Sequence, residues 1–197
     1  MTKPEDVVQY WFGPFGAGFP ANNGEMWWKK DPAVDAEIKA RFGAACEASA
    51  RGELADWATT ALGRQAHILL IDQMARNMHR DSGQMYAQDD LALRVALQGI
   101  AEGDPWGRRY RELQFFLMPL MHAEDVGIQR LCCRMFGRAL AEASDADLTA
   151  AAGGVSYAEK HRVIVERFGR FPHRNALLGR QSTPEEAVFL EEPGSSF

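Results

Sequence analysis

Between Lys160 and Arg180 the chain carries six Lys/Arg and one acid, Glu166. The rest of its 197 residues holds 16 basic and 26 acidic ones, so a basic segment sits in a protein of net charge −5. The segment also has special backbone geometry. Gly169 and Gly179 are placed to end helices in the left-handed region, and Phe171-Pro172 forces an extended step. His173-Arg174-Asn175 then opens a short helix. Guanidinium and imidazole groups around a helix N-terminus suit a phosphate or carboxylate. Arg170, His173, Arg174, Asn175 and Arg180 are therefore candidate ligand-binding residues. The competing reading is structural: these arginines pair with acids such as Asp72, Glu124 or Asp125 and fix the chain reversal.

Two further polar blocks interrupt apolar stripes. On one helix Leu62, Ala66, Leu69 and Gln73 share a side, followed by Arg76 and Asn77. Asp72, Gln73, Arg76 and Asn77 thus form either a polar pocket wall or a satisfied core network, since a buried amide needs partners. The other block, His122-Ala123-Glu124-Asp125, follows Pro119. His122 or His161 is a candidate to move protons, with Glu124 or Asp72 orienting the imidazole. No H-E-x-x-H, no E-x-x-H pair and no EF-hand loop occurs, so no metal is assigned. No P-loop, dinucleotide fingerprint or G-x-S-x-G elbow occurs either, and no cofactor is assigned.

These residues need a frame, and the apolar spacing gives a helical one. Leu93, Ala96, Leu97 and Ile100 make one stripe; Leu131, Cys132, Met135, Phe136 and Ala139 make another. Period-two alternation never persists. Helices are expected near 4–12, 32–50, 61–78, 85–102, 105–121, 124–143, 157–168, 173–178 and 184–191. Caps are read at Thr2-x-x-Glu5, Asp31-Pro32, Asp104-Pro105, Ser156-x-x-Glu159 and Thr183-Pro184-x-Glu186. Pro119 should break or kink its helix. Trp11, Phe12, Trp27, Trp28, Phe42 and Trp57 are expected in the core, with 12–23 an ordered loop. Residues 1–192 read as one helical domain and 193–197 as a loose tail.

An acidic balance disfavours nucleic acid and membrane as partners. No apolar run approaches the length of a membrane span. Cys46, Cys132 and Cys133 form no disulfide framework and read as reduced, buried thiols, which with the absence of a signal pattern implies the cytoplasm.

The three polar blocks, in this order, resemble the bacterial domain-of-unknown-function family 924. The resemblance runs through Trp11-Phe12-Gly13, Trp27-Trp28, Gly52-x-Leu54-x-x-Trp57, Leu70-x-Asp72-Gln73-x-x-Arg76-Asn77, Leu117-x-Pro119-Leu120-x-His122-x-Glu124-Asp125, Arg167–Asn175 and Leu178-Gly179-Arg180. Met121 and Ala123 depart from the acid and serine usual in the family, and Met74-Ala75 replace its Phe-Pro. The resemblance implies an all-α fold of antiparallel helical hairpins stacked as a tetratricopeptide-like right-handed superhelix or bundle. It implies no activity. Two functions follow as expectations: binding, with or without hydrolysis, of an anionic small molecule at the Arg/His cluster, or a protein–protein interaction module in which that cluster only holds the fold.

Overall fold

The computed structural model describes residues 2–18 and 23–196, and all regular structure among them is helical. In order these are α1 (Pro4–Phe12), α2 (Asn23–Trp28), α3 (Pro32–Ala50), α4 (Ala61–Ile68), a π segment (Leu69–Met74), α5 (Ala75–Met78), α6 (Asp89–Glu102), α7 (Tyr110–Met121), α8 (Val126–Ala141), α9 (Leu148–Phe168) and α10 (Pro184–Phe189). Short 3-10 turns lie at Ala55–Thr59, Gly83–Tyr86 and Pro172–Arg174. No helix is long and apolar enough to cross a membrane among the described residues. The chain divides into two compact units, one of residues 1–80 and 84–119, the other of 81–83 and 120–197.

The first unit is built on an aromatic hub. Phe115 meets Trp11, Phe12 and Trp27 edge-on or tilted, and Trp28 stacks on it with planes 12° apart. Around the hub pack Val7, Ile38, Phe42, Leu69, Leu70 and Met74. Trp11, Phe12 and Phe42 are core as expected, but Trp28 offers one ring face to Phe115 and stays half exposed. Part of the loop expected at 12–23 lies outside the described residues. Gly63 lets the turn at Ala55–Thr59 lie on α4, because a Cβ there would collide with the Trp57 carbonyl.

The caps sort the correct from the mistaken helix starts. Asp31 accepts from the Ala33 N–H, and Thr183 and Glu186 form a full capping box. Lys3, not Thr2, precedes α1, with Asp6 accepting from the Lys3 N–H. Asp104 caps nothing: Arg64 takes both its oxygens, so α7 begins only at Tyr110. Ser156 lies inside α9, which starts at Leu148 because Ala151, Gly154 and Ala158 extend its buried face upstream. Pro119 sits inside α7 without ending it. The expected helix at 61–78 is interrupted by the π segment, where the Ala75 N–H reaches back five residues to the Leu70 carbonyl.

In the second unit, α8 and α9 pack along one another as a hairpin. Gln129 closes the turn before α8 by donating to the carbonyls of Leu120, Met121 and Ala123. Ile164, Val165, Phe171 and Phe189 form the core beside α10. Within the stretch expected as a tail, Ser195 is buried and its hydroxyl donates to the Leu190 carbonyl.

Candidate functional site

The basic segment takes the backbone path its residues predict. Gly169 ends α9 at φ +70°, Phe171 is extended, and Gly179 turns at φ +64°. That path seals Phe171 in the interior and arranges the charged groups around it.

Two of the candidate binding arginines, Arg170 and Arg180, are consumed by carboxylates. Arg170 donates from Nε and Nη2 to the two oxygens of Glu186, at 2.6 and 2.7 Å, and from Nη2 to the Gln181 carbonyl. Glu186, only 3% exposed, also accepts from the Thr183 N–H and from Asn175 Nδ2. The Arg170 hydrogen bonds hold its carboxyl down at about 2. Arg180 makes the same two-pronged contact with Glu124, at 2.6 and 2.9 Å, and donates to Asn175 Oδ1 and the Phe171 carbonyl. Glu124 Oε1 accepts the Phe171 N–H as well. Burial alone would raise the Glu124 carboxyl, but Arg180 and that N–H outweigh it and the group is lowered.

The imidazoles gather on Phe171. His161 lies 5.5 Å from its ring and His173 5.6 Å, and His122 is 6.3 Å from His161. Arg174 is buried with its guanidinium 4.5 Å over the Phe171 ring. His161 Nδ1 lies 2.8 Å from the Tyr157 carbonyl and so carries the proton. Burial, reinforced by His122, pushes His161 down to about 3; burial and Arg174 push His173 to about 4. Both rings are neutral at pH 7. Glu124, assigned from sequence to orient a histidine, instead accepts from Arg180 and from the Phe171 N–H.

Asp72, Gln73, Arg76 and Asn77 belong to the first unit and also form a network. Asp72 is fully buried, accepts from Gln73 Nε2 and pairs with Arg76. Arg76 grips both oxygens of Asp89 at 3.1 and 3.0 Å and lies over Tyr86. Asn77 donates to Asp35 Oδ1, and Arg80 pairs with the same carboxylate. Glu124, one of the acids offered from sequence as a partner for the arginines, is the partner of Arg180, while Glu186, Asp35 and Asp89 enter as partners not proposed from sequence. Of these, Glu186 left a trace, as the acid of the Thr183 capping box. Asp35 and Asp89 lie in the first turns of α3 and α6.

A shallow surface hollow of the second unit lies elsewhere on α9. A groove of about 400 Å³ is lined by Ser156, Glu159, Lys160, Val163, Ile164, Phe189 and Gly194. Its far wall, α10 and the segment after it, is the part that Arg170 ties down through Glu186.

The family model described as "Bacterial protein of unknown function (DUF924)" matches residues 7–194. A solved structure of a protein of unknown function from Agrobacterium tumefaciens is similar, at 37% identity and a TM-score of 0.78, over 95% of this chain and 96% of that one. A search of curated proteins gives no match.

Proposed function

The chain belongs to the DUF924 family of bacterial proteins of unknown function, and we propose from its geometry that it is a helical binding module for a protein partner, with its arginine motif serving as the frame. The observation that carries this reading is the commitment of Arg170 to Glu186 and of Arg180 to Glu124. A guanidinium held by both oxygens of a carboxylate must give up that partner before it can hold a phosphate, and breaking such a pair is costly. The two pairs fix the end of α9 to α10 and to the start of α8. They therefore shape a groove instead of lining one. Stacked helical hairpins of the tetratricopeptide-like kind present such grooves to peptides, and the family resemblance supports that comparison. The free thiols, two of them buried and Cys133 partly so, suit a cytoplasmic setting.

Two measurements test the reading. Isothermal titration with inorganic phosphate and a nucleotide panel should give no saturable heat. Selection from a displayed random-peptide library should enrich sequences that bind the purified protein saturably. Heat from an anion that disappears in Arg174→Ala, together with an empty peptide selection, would return the function to anion binding.

A further inference from the structure

We propose that the groove on the second unit receives a short segment of a partner protein in which an apolar side chain is flanked by a carboxylate residue, the carboxylate meeting Lys160. This rests on the binding-module reading and specifies its partner.

Three observations carry the assignment. First, the α9 face at the groove is apolar yet in water. Tyr157 and Val163 are each 53% exposed, while Ile164 and Phe189 beneath are buried. Tyr157, Lys160, Val163 and Ile164 recur every three or four residues, on one stripe of the helix. A stripe of this kind gains most from covering, because apolar area removed from water is the main source of binding energy. Second, the cations of α9 are not equivalent. Arg162 pairs with Glu159 and Glu166, and Arg167 with Glu185. Lys160 pairs with no carboxylate among the described residues; its ammonium lies 5.0 Å from the Tyr157 ring centroid, at the edge of the groove. Third, the one acid lining the groove is already neutralised. Glu159 accepts from Arg162 Nε and Nη2, at 2.9 and 2.7 Å, and from the Cys133 thiol. The groove therefore offers an apolar floor with one uncommitted positive charge beside it. The complement is an apolar side chain next to a negative one. The rim adds the Ser156 hydroxyl and the backbone at Gly194, which suit the amide groups of a peptide.

The test uses the full chain. Peptides enriched from a displayed random library are synthesised with a fluorescent label and titrated against wild type, Val163→Asp and Lys160→Glu. Both positions are solvent-facing, and unchanged circular dichroism and Tm confirm that the variants are folded. Enriched sequences should place an acid within a residue or two of a large apolar side chain. Val163→Asp should weaken them by about tenfold or more through lost apolar contact. Lys160→Glu should weaken them by about fivefold, the scale of one exposed ion pair, and a peptide with its acid changed to lysine should recover that loss on Lys160→Glu. Selected peptides without an acid, or equal affinity for wild type and Lys160→Glu while Val163→Asp abolishes binding, would overturn the carboxylate assignment and leave the module intact. Binding indifferent to Val163→Asp would remove the groove and leave the module to another surface, whereas no enrichment at all would remove the groove and the module together. A concentration-dependent dimer in sedimentation that Val163→Asp dissolves would assign the groove to a second copy and overturn the foreign partner.

Discussion

Arg180 and Glu124, 56 residues apart in sequence, meet through two parallel hydrogen bonds, and the same carboxylate also accepts the Phe171 N–H. One acid thereby fixes both ends of the loop around Phe171. Each group leaves about a quarter of its side chain exposed, so the pair is shielded but not sealed.

Arg180→Ala should lower Tm by about 5–10 °C, from the loss of charge-assisted hydrogen bonds worth roughly 1.5–3 kcal/mol in a chain of this size. Arg180→Lys should recover only part of it, since an ammonium cannot reproduce the planar fork. Differential scanning calorimetry reads both variants; a fully restored Tm in the lysine variant would show that charge alone matters there.

Burial separates two other ion pairs. Arg64 and Asp104 are 8% and 6% exposed, whereas Arg138 and Glu142 are each about half exposed. Asp104→Ala leaves a buried guanidinium unmatched and should cost about 3–5 kcal/mol. Glu142→Ala should cost under about 1 kcal/mol. Urea unfolding of the two variants decides the matter, and similar losses would contradict the burial argument.

Acid should destabilise the protein in two stages. Burial holds His161 near about 3, and His67 and His173 near about 4, so the folded chain keeps these rings neutral. The unfolded chain protonates them from about pH 6.5 downward. Their contribution is complete above that pH and is lost as pH falls toward 4 and 3. Glu186, held at about 2, contributes above its unfolded value of 4.5 and loses that contribution as pH falls toward 2. Tm should therefore decline already between pH 6.5 and 4.5. His161→Gln should flatten that first decline; a curve parallel to wild type would reject the assignment.

Cysteine chemistry should be slow in the folded protein. Burial pushes the Cys133 thiol up to about 11 and raises Cys46 and Cys132 as well. At pH 7.5 a disulfide reagent should label the three thiols rapidly only after guanidinium is added. Prompt labelling of the native chain would mean that one of them is more open and more acidic than its surroundings suggest.

What the sequence disclosed depended on range. Asp31, Thr183, Gly169 and Gly179 act on backbone within a few residues, and their roles were readable. Asp104 looked identical to Asp31, each before a proline, yet Arg64 lies 40 residues away and takes its carboxylate. Local pattern cannot weigh a distant competitor. Ser156-x-x-Glu159 suggested a helix start, but α9 runs on upstream through the buried Ala151 and Gly154. At the candidate site, the motif residues and one partner, Glu124, were found, and the partner of Arg170 was not. Glu186 was visible only as a capping acid, although one carboxylate serves both the Thr183 N–H and Arg170.

The wide turn at Leu69–Met74 acts as a fixed insertion. One residue more than an ordinary turn holds is stored there, and everything after it is rotated by about 100°, the angular step of one residue. Deleting a single residue within it would let the helix wind at normal pitch and leave Arg76 and Asn77 facing Asp89 and Asp35, whereas adding a further residue would swing both away from those acids. The chain at this point, buried on every residue, should therefore accept the loss of one residue more readily than the gain of one.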